Sequence, residues 1–310
     1  IYADDTGTIF NINTDGSINW KINIYKNIYK KIYKNLTFVL DKNVIYVADN
    51  VGFIYALSFD SGEIIWIKNH GIPLRSHIKV FKDKIFLINQ DNRIICLKTD
   101  NGVKIWDVRT ISSFIKSQHF LSVAISNTGY VIALNSAGDL IKIDADNGKV
   151  HWVINTSVSM YAHVTDFFIS SEVVIDNEDI IFSSLSSMFS YKLENGYVNW
   201  EKKINSKGTP IVVGKNVFFV TDNGYFVIMN KNNGNIISSN NILKALKKKK
   251  RNTKVIGFIM GSGKIYSVTL NGYLIVSSAS SGKIENFKKI AKSITSSPII
   301  NNGKLFVYTK

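Results

Sequence analysis

The sequence predicts an all-β fold, a β-propeller of four-stranded antiparallel blades, with eight blades expected and seven as the alternative. Three features of the 310 residues support this: a repeat, a strand-like alternation of apolar residues within it, and glycines that close its turns. Self-similarity at a period of about 20–50 residues is typical of solenoids and propellers, and four short antiparallel strands in each repeat are typical of a propeller. The second glycine of each copy marks the period, at spacings of 38 to 48 residues: Gly16, Gly62, Gly102, Gly148, Gly196, Gly234 and Gly282.

The copy that ends at Trp66, "IYVADNVGFIYALSFDSGEIIW", shows the strands most clearly. Its apolar residues alternate, and they are mostly β-branched or aromatic, which is strand composition. Gly52 stands where a hairpin turn needs positive φ, and Gly62 closes a second hairpin. Each copy therefore predicts three strands, and a weaker fourth strand precedes each copy, as at residues 209–213.

The copies differ in how they end. In chain order they end at Trp20, Trp66, Trp106, Trp152 and Trp200, then at Ile237 and Ile284, and a partial copy runs to the C-terminus. We predict that the five tryptophans are structural residues, largely buried between adjacent sheets. Ser238 and Asn286 stand at the matching places of the two later copies, so looser packing is expected there.

Two copies lack the first glycine. Asn92 and Ser187 stand in its place. Asn tolerates a left-handed φ, and Ser does so less readily. The turn of the fifth copy is therefore expected to be a weak point of the pattern.

Length and composition limit the other possibilities. The repeats run end to end, so we expect a single domain over residues 1–310, trimmed at both termini. No apolar run approaches the roughly 20 residues that span a bilayer. Cys96 is the only cysteine, which excludes an internal disulfide and a CxxC metal pair, and the five histidines show no ligand spacing. No metal and no cofactor are expected.

The net charge of +15 suggests a polyanion as a possible partner. Much of it lies in residues 25–36 and 243–254, both between repeats. The first segment has apolar residues at helical spacing and lysines on the other face, so a short helix is expected there. Because lysine is abundant throughout the chain, nucleic acid is not the expected partner, and a basic polyanion-binding propeller stays an alternative.

The repeat from Val44 to Trp66 resembles the PQQ-like repeat family. Within that family, the chain is most similar to the BamB outer membrane protein assembly factors. It shares their order of copies and the C-terminal pattern from Pro298 to Leu305. The resemblance implies a non-catalytic scaffold subunit of the outer-membrane β-barrel assembly machinery. It also implies a periplasmic lipoprotein held at the outer membrane by an N-terminal lipid anchor, which these residues do not include.

The resemblance also implies a partner and contact residues. BamB-like propellers bind the POTRA domains of the barrel-assembly protein BamA through inter-blade loops. One such loop matches Phe114, Ile115 and Lys116, with lysine where the family has arginine, and a second matches Asp166. Both lie in inter-blade connections, so we expect the four residues to lie close together on one rim. The alternative is that Phe114 and Ile115 only fill the gap beneath their loop.

A PQQ-dependent quinoprotein dehydrogenase is the enzymatic alternative, because such enzymes use the same blades. They need a calcium with carboxylate ligands, a catalytic aspartate and usually an adjacent cysteine pair, and one cysteine cannot supply that pair. Acids such as Asp60 and Asp146 lie in repeat turns, where carboxylates accept backbone hydrogen bonds. We therefore predict that the protein is not an enzyme.

Overall fold

The computed structural model describes residues 1–25, 29, 32–110, 120–156, 168–184 and 186–309. These residues form twenty-nine β-strands and two short 3₁₀ helices, Ile242–Ala245 and Lys248–Lys250. The all-β prediction is confirmed. Within the described ranges, no helix has the length and apolar character needed to cross a membrane.

The chain divides into two compact units, Ile1–Ile169 and Ser170–Lys310. The first unit contains four sheets, here called blades 1 to 4. Blade 1 consists of β1 (Tyr2–Ala3), β2 (Thr8–Ile12) and β3 (Ile18–Asn23), and blade 2 of β4 (Leu36–Asp41), β5 (Val44–Asp49), β6 (Phe53–Ser58) and β7 (Ile64–Asn69). Blade 3 consists of β8 (Lys79–Phe81), β9 (Lys84–Ile88), β10 (Arg93–Lys98) and β11 (Lys104–Arg109), and blade 4 of β12 (Ser122–Ile125), β13 (Tyr130–Leu134), β14 (Asp139–Asp144) and β15 (Val150–Asn155).

The second unit contains blades 5 to 8. Blade 5 consists of β16 (Val174–Asp176), β17 (Asp179–Ser183), β18 (Met188–Lys192) and β19 (Val198–Lys202), and blade 6 of β20 (Ile211–Val213), β21 (Asn216–Val220), β22 (Tyr225–Asn230) and β23 (Ile236–Asn241). Blade 7 consists of β24 (Val255–Gly261), β25 (Lys264–Thr269), β26 (Tyr273–Ser278) and β27 (Ile284–Lys289), and blade 8 of β28 (Ile299–Asn301) and β29 (Lys304–Phe306).

The described strands form eight separate sheets, six of them four-stranded. Within each sheet, neighbouring strands follow chain order and pair antiparallel, so each blade is a simple meander. The prediction of eight blades of a β-propeller is confirmed. The seven-blade alternative is wrong, because residues 1–20 and 285–310 contribute to different sheets.

The two middle strands of a four-stranded blade carry the core. In blade 2, Ile54, Ala56 and Leu57 are fully buried, whereas the outer strand β7 is mostly exposed. Apolar clusters join neighbouring blades: Tyr46 and Ala56 of blade 2, for example, belong to one cluster with Leu97 of blade 3. Burial of a leucine such as Leu97 contributes about 1.5–3 kcal/mol, so side-chain packing holds adjacent blades together.

The pairing of the last two strands shifts by one residue in each of blades 1 to 7. In blade 2, Ala56 pairs with Trp66 but Leu57 pairs with Ile64, so Ile65 is an extra residue on the outer strand. A bulge of this kind re-aims the neighbouring side chains. Blades 1 to 5 have it immediately beside the residue that pairs with tryptophan.

The indole of the outer strand contacts the next blade. The Nε1–H of Trp66 in blade 2 donates to the carbonyl of Thr99 in blade 3 at 2.9 Å. The same bond joins Trp20 to Phe59 O at 2.8 Å, Trp106 to Ala145 O at 3.2 Å and Trp200 to Lys231 O at 2.6 Å. Trp200 is buried, and the indoles of Trp20, Trp66, Trp106 and Trp152 are half-buried. In blade 6, Ser238 stands at the tryptophan position and donates to Ser281 O at 3.3 Å.

The two turns without glycine differ from each other. Asn92 adopts a left-handed φ of 57°, as the sequence predicts. Ser187 does not stand at a glycine position, and that expectation is wrong. The fifth turn is one residue shorter than its counterparts, because Ser184 N donates to Ser187 O whereas Thr221 N donates to Tyr225 O. Among the described residues of this turn, Ser184, Ser186 and Ser187, none adopts a left-handed φ.

The segment 25–36, for which the sequence predicts a short helix, lies partly outside the described residues. At its end, Leu36 begins the strand β4. Lys34 does not belong to a solvated face, because it is buried with 2% exposure. Its ammonium group donates to the carbonyls of Tyr29 and Ile32 and lies 4.7 Å from the centre of the Tyr25 ring.

Candidate partner-binding edge

One edge of the first unit combines the first turns of its blades with the connections between them. The residue that follows an outer strand donates its backbone N–H to a carbonyl of that blade's first turn. His70 N donates to Gly52 O at 2.8 Å, Thr110 N to Asn92 O at 3.4 Å, and Thr156 N to Gly138 O at 2.8 Å. We call this edge, with the connections that begin there, the loop edge.

The residues expected to bind a partner lie outside the described residues. Phe114, Ile115 and Lys116 fall in the gap 111–119, and Asp166 falls in the gap 157–167. The residues that flank both gaps are described: Thr110 and Phe120 around the first, Thr156 and Phe168 around the second. The geometry of the loop edge therefore rests on these flanking residues.

The turn Asn135–Asp139 of blade 4, here called the shared turn, bonds to residues beside both gaps. Asn135 Nδ2 donates to Oγ1 of Thr110, the residue just before the first gap, at 3.0 Å. Thr156 donates both N–H and Oγ1–H to Gly138 O at 2.8 Å, and Phe168 N donates to Ser136 O at 3.1 Å. Both ends of the second gap and the start of the first therefore meet at one turn.

The shared turn is buried and rich in hydrogen bonds. Asn135 is 2% exposed, and its Oδ1 accepts from Ala137 N at 2.9 Å and from Asp139 N at 3.0 Å. Asn92 of blade 3 reaches across to it, with Nδ2 donating to Ser136 Oγ at 2.8 Å and Oδ1 accepting from Ser136 N at 3.1 Å. A satisfied buried network of this kind rigidifies its surroundings.

Gly138 is required in the shared turn for two reasons. Its φ is 83°, in the region that side chains disfavour, and a Cβ there would lie 2.8 Å from Cδ2 of Phe168. The Phe168 ring is therefore packed directly against the turn. This contact and the Phe168 N–H bond fix where the chain leaves the second gap.

The far end of the first gap is held by the preceding connection. The Phe120 ring stacks on His77 with 5.3 Å between ring centres, and Leu121 N donates to Arg75 O at 2.5 Å. Phe120 remains 37% exposed. The loop edge therefore includes the connection between blades 2 and 3 as well as the two connections with gaps.

Arg75 is a candidate site residue that sequence reasoning missed. Its Nη2 donates to Gln90 Oε1 at 3.4 Å, and its buried Nε has no hydrogen-bond partner among the described residues. Burial lowers the pKa of the Arg75 guanidinium from its usual value. The Nη groups of this guanidinium can bind a partner's carboxylate or carbonyl, whereas the Nε is too buried to contact one. Only the orphaned Nε distinguishes it from other surface arginines, and the sequence does not show that.

The described residues contain no group of three or more His, Cys, Asp or Glu that could hold a metal ion. Cys96 is fully buried in the core, and burial raises the pKa of its thiol to about 12. The reactive thiolate is therefore not formed near neutral pH.

Comparisons with known proteins point to one family. Residues 5–240 match the family model PQQ_2, described as outer membrane protein assembly factor BamB. The curated outer membrane protein assembly factor BamB of Yersinia pestis is 26% identical over 157 residues, which are 51% of this chain and 36% of that protein. The BamB of Shewanella oneidensis is 22% identical over 208 residues, which are 65% of this chain and 52% of that protein. The chain thus matches about a third to a half of the length of these relatives.

A solved structure shows the same fold over nearly the whole chain. The crystal structure of BamB from Moraxella catarrhalis has a TM-score of 0.80 at 14% identity, covering 99% of this chain and 89% of that one. A weaker relative is an enzyme. The quinoprotein ethanol dehydrogenase of Pseudomonas putida is 22% identical over 125 residues, 37% of this chain and 19% of that protein.

Proposed function

The chain belongs to the family of the outer membrane protein assembly factor BamB, and on this premise we propose that it is a non-catalytic scaffold subunit of the outer-membrane β-barrel assembly machinery. Its partner is the set of POTRA domains of the barrel-assembly protein BamA, bound at the loop edge. The protein acts in the periplasm and is held at the outer membrane by a lipid anchor. The curated relatives named outer membrane protein assembly factor support this assignment.

The observation that carries the proposal is the convergence of both partner-binding segments on the shared turn. Residues 111–119 and 157–167 are separated in sequence, yet Thr110, Thr156 and Phe168 beside them all bond to that turn. The described residues at three of the four ends of these segments are therefore held at one turn. Fixing the ends of a loop reduces the entropy lost when a partner binds.

The composition of the two segments suits an interface. Phe114 and Ile115 supply an apolar centre, while Lys116 and Asp166 supply charges of opposite sign. Interfaces commonly combine an apolar core with a charged, solvent-accessible rim, and a few central residues carry most of the binding energy. Arg75 and the half-exposed Phe120 extend this surface into the neighbouring connection.

The test is the double variant Phe114→Ala with Ile115→Ala. Isothermal titration calorimetry against the purified POTRA domains of BamA should show binding by the unmodified protein and at least about tenfold weaker binding by the variant, because an apolar centre is lost. The melting temperature should barely change. Ile65→Ala with Ile67→Ala is the matched control, since these two are 53% and 46% exposed on the outer strand β7.

Two outcomes would contradict this assignment. If the Phe114 and Ile115 variant binds normally, the segment 111–119 is not part of the interface. If it unfolds at clearly lower temperature, the two side chains fill the gap beneath their loop and have a packing role instead.

A quinoprotein dehydrogenase is the second candidate function, favoured only by the partial similarity to the Pseudomonas putida enzyme. The described residues do not fit it, because they lack a carboxylate cluster that could hold calcium. We expect added PQQ with calcium to leave the melting temperature unchanged. A rise of several degrees that needs both additives would favour the enzyme.

A further inference from the structure

The positive charge of the chain is concentrated in its last part. Residues 223–310 contain fifteen Lys and Arg and a single acid, Glu285, whereas residues 1–222 contain 23 Lys and Arg and 22 acids. Glu285 is itself paired with Lys264, with 2.8 Å between Oε2 and Nζ. Charge asymmetry of this kind indicates binding to an anionic surface or polymer. Uniform lysine enrichment along the chain does not account for it.

The densest part of this charge is the connection between blades 6 and 7. Its cations are all exposed, and no acid interrupts them: Lys244, Lys247, Lys248, Lys249, Lys250, Arg251 and Lys254. Within the described part of the chain, none of them forms an ion pair. Lysines elsewhere do, as when Lys231 Nζ lies 2.6 Å from Asp176 Oδ2. The six lysine charges of this set are therefore available to an external anion.

The connection is an ordered platform rather than a loose charged loop. Ile242, Leu243 and Leu246 are buried beneath it, and Leu243 packs so closely that a Cβ on Gly224 would lie 2.6 Å from its Cγ. The Arg251 guanidinium folds back, with Nε donating to Leu246 O at 2.9 Å and Nη2 donating to Lys244 O at 3.1 Å. The apolar side chains anchor the segment while the lysine head groups stay in solvent.

The first turn of blade 7 joins this connection to the next one. Leu270 N donates to Lys254 O at 2.9 Å, and Asn271 Nδ2 donates to Lys250 O at 3.2 Å. On its other side, Gly272 O accepts from Ile290 N at 2.9 Å. Exposed Lys292 lies two residues beyond Ile290, and Leu270 and Ile290 are 44% and 38% exposed. We call this surface, Lys244–Lys254 with Leu270, Ile290 and Lys292, the cationic edge.

We propose that the cationic edge binds the anionic headgroup surface of a phospholipid bilayer. Anionic lipids attract clusters of four to eight lysines and arginines, and each basic residue near the membrane surface strengthens the attraction. The exposed Leu270 and Ile290 side chains enter the interface between headgroups, as apolar residues of peripheral membrane proteins do. This surface belongs to the second unit and does not depend on POTRA binding by the loop edge.

Lipid fits the cationic edge better than nucleic acid does. No aromatic residue lies in 244–254, so the connection itself offers no platform on which bases could stack. Its cations are lysines except for Arg251, whose guanidinium is occupied by backbone carbonyls. Lysine acts as a point charge, which suits a headgroup surface, whereas bidentate contacts to base edges favour arginine.

The test is co-sedimentation with vesicles of phosphatidylethanolamine and phosphatidylglycerol. We expect binding that weakens as salt rises, because the charges are exposed and screened, and little binding to pure phosphatidylcholine vesicles. K247Q/K248Q/K249Q/K250Q should bind at least about tenfold more weakly. K149Q/K192Q/K203Q/K215Q is the matched control, since it removes the same charge from four exposed lysines of residues 1–222 and should bind almost as the unmodified protein does.

A variant of the apolar part of the cationic edge tests its contribution separately from that of the lysines. Leu270→Ser should weaken vesicle binding further at high salt, where apolar insertion dominates. Equal binding by the two quadruple variants, or no binding to anionic vesicles, would overturn the proposal. So would a single-stranded oligonucleotide that binds more tightly than the vesicles through the same four lysines. If the first variant melts early, Lys248→Glu alone replaces it and should show the same direction of change.

Discussion

At the scale of single residues, the contact between tryptophan and glycine of successive blades explains two features of the repeat together. Gly102 has a φ of 66°, and a Cβ there would lie 2.6 Å from Cζ3 of Trp66. Gly62 stands in the same relation to Trp20, and Gly234 to Trp200. The second glycine of a copy therefore both closes a hairpin and leaves room for the indole of the preceding blade.

This contact predicts a non-additive pair of substitutions. Trp66→Ala should lower the free energy of unfolding by about 3–5 kcal/mol, because it leaves a cavity between blades 2 and 3. Gly102→Ala should be more destabilising than Gly16→Ala, since Gly16 also has positive φ, at 94°, but nothing lies within 4 Å of its added Cβ. When Trp66 is already replaced by Ala, the losses of unfolding free energy caused by the two glycine substitutions should differ much less. Urea unfolding of these single and double variants measures this, and equal effects of the two glycine substitutions in the unmodified protein would argue against the steric explanation.

At the scale of elements, the shared turn connects neighbouring segments that the sequence shows only as separate loops. Its residues, "NSAGD", are common turn formers. Nothing in this short sequence indicates that Asn135 donates a hydrogen bond to Thr110, 25 positions earlier in the chain. The strands themselves are predictable, because alternation and glycine spacing are local signals. The cross-blade bonds are not local, so the sequence alone could not reveal them.

Asn135→Ala tests the role of the shared turn. The substitution removes the bonds to Thr110 and Asp139 and leaves buried groups unsatisfied, so it should cost about 1–3 kcal/mol of stability. It should also speed amide hydrogen exchange in residues 111–119 and 157–167 and weaken POTRA binding, although Asn135 itself is buried. Thr221→Ala, which removes the equivalent turn bond to Tyr225 N in blade 6, should leave that binding unchanged. Identical binding by both variants would mean that the turn does not organise the loop edge.

At the scale of the whole molecule, the sequence predicts the fold class and the blade number. It does not predict the length of every turn or which lysines are buried. The sequence pattern places Ser187 at the glycine position of the fifth turn, but that turn is one residue shorter, which only the register of β17 and β18 reveals. The helical spacing of residues 25–36 predicts lysines on a face opposite the apolar one, yet Lys34 is buried and its ammonium group donates to backbone carbonyls. The two candidate surfaces belong to different units: the loop edge to the first, the cationic edge to the second.

The central claim is that the loop edge binds the POTRA domains of BamA, and site-specific photo-cross-linking tests it most directly. A photoreactive phenylalanine analogue is placed singly at Phe114, at Asp166 and at Ile65, the last being an exposed residue of the outer strand β7. Each protein is irradiated with the purified POTRA domains, and cross-linked species are quantified by gel and mass spectrometry. The account predicts strong cross-links from positions 114 and 166 and little from position 65. Cross-links from position 65 alone, or none from 114 and 166 under conditions where the proteins bind, would contradict it.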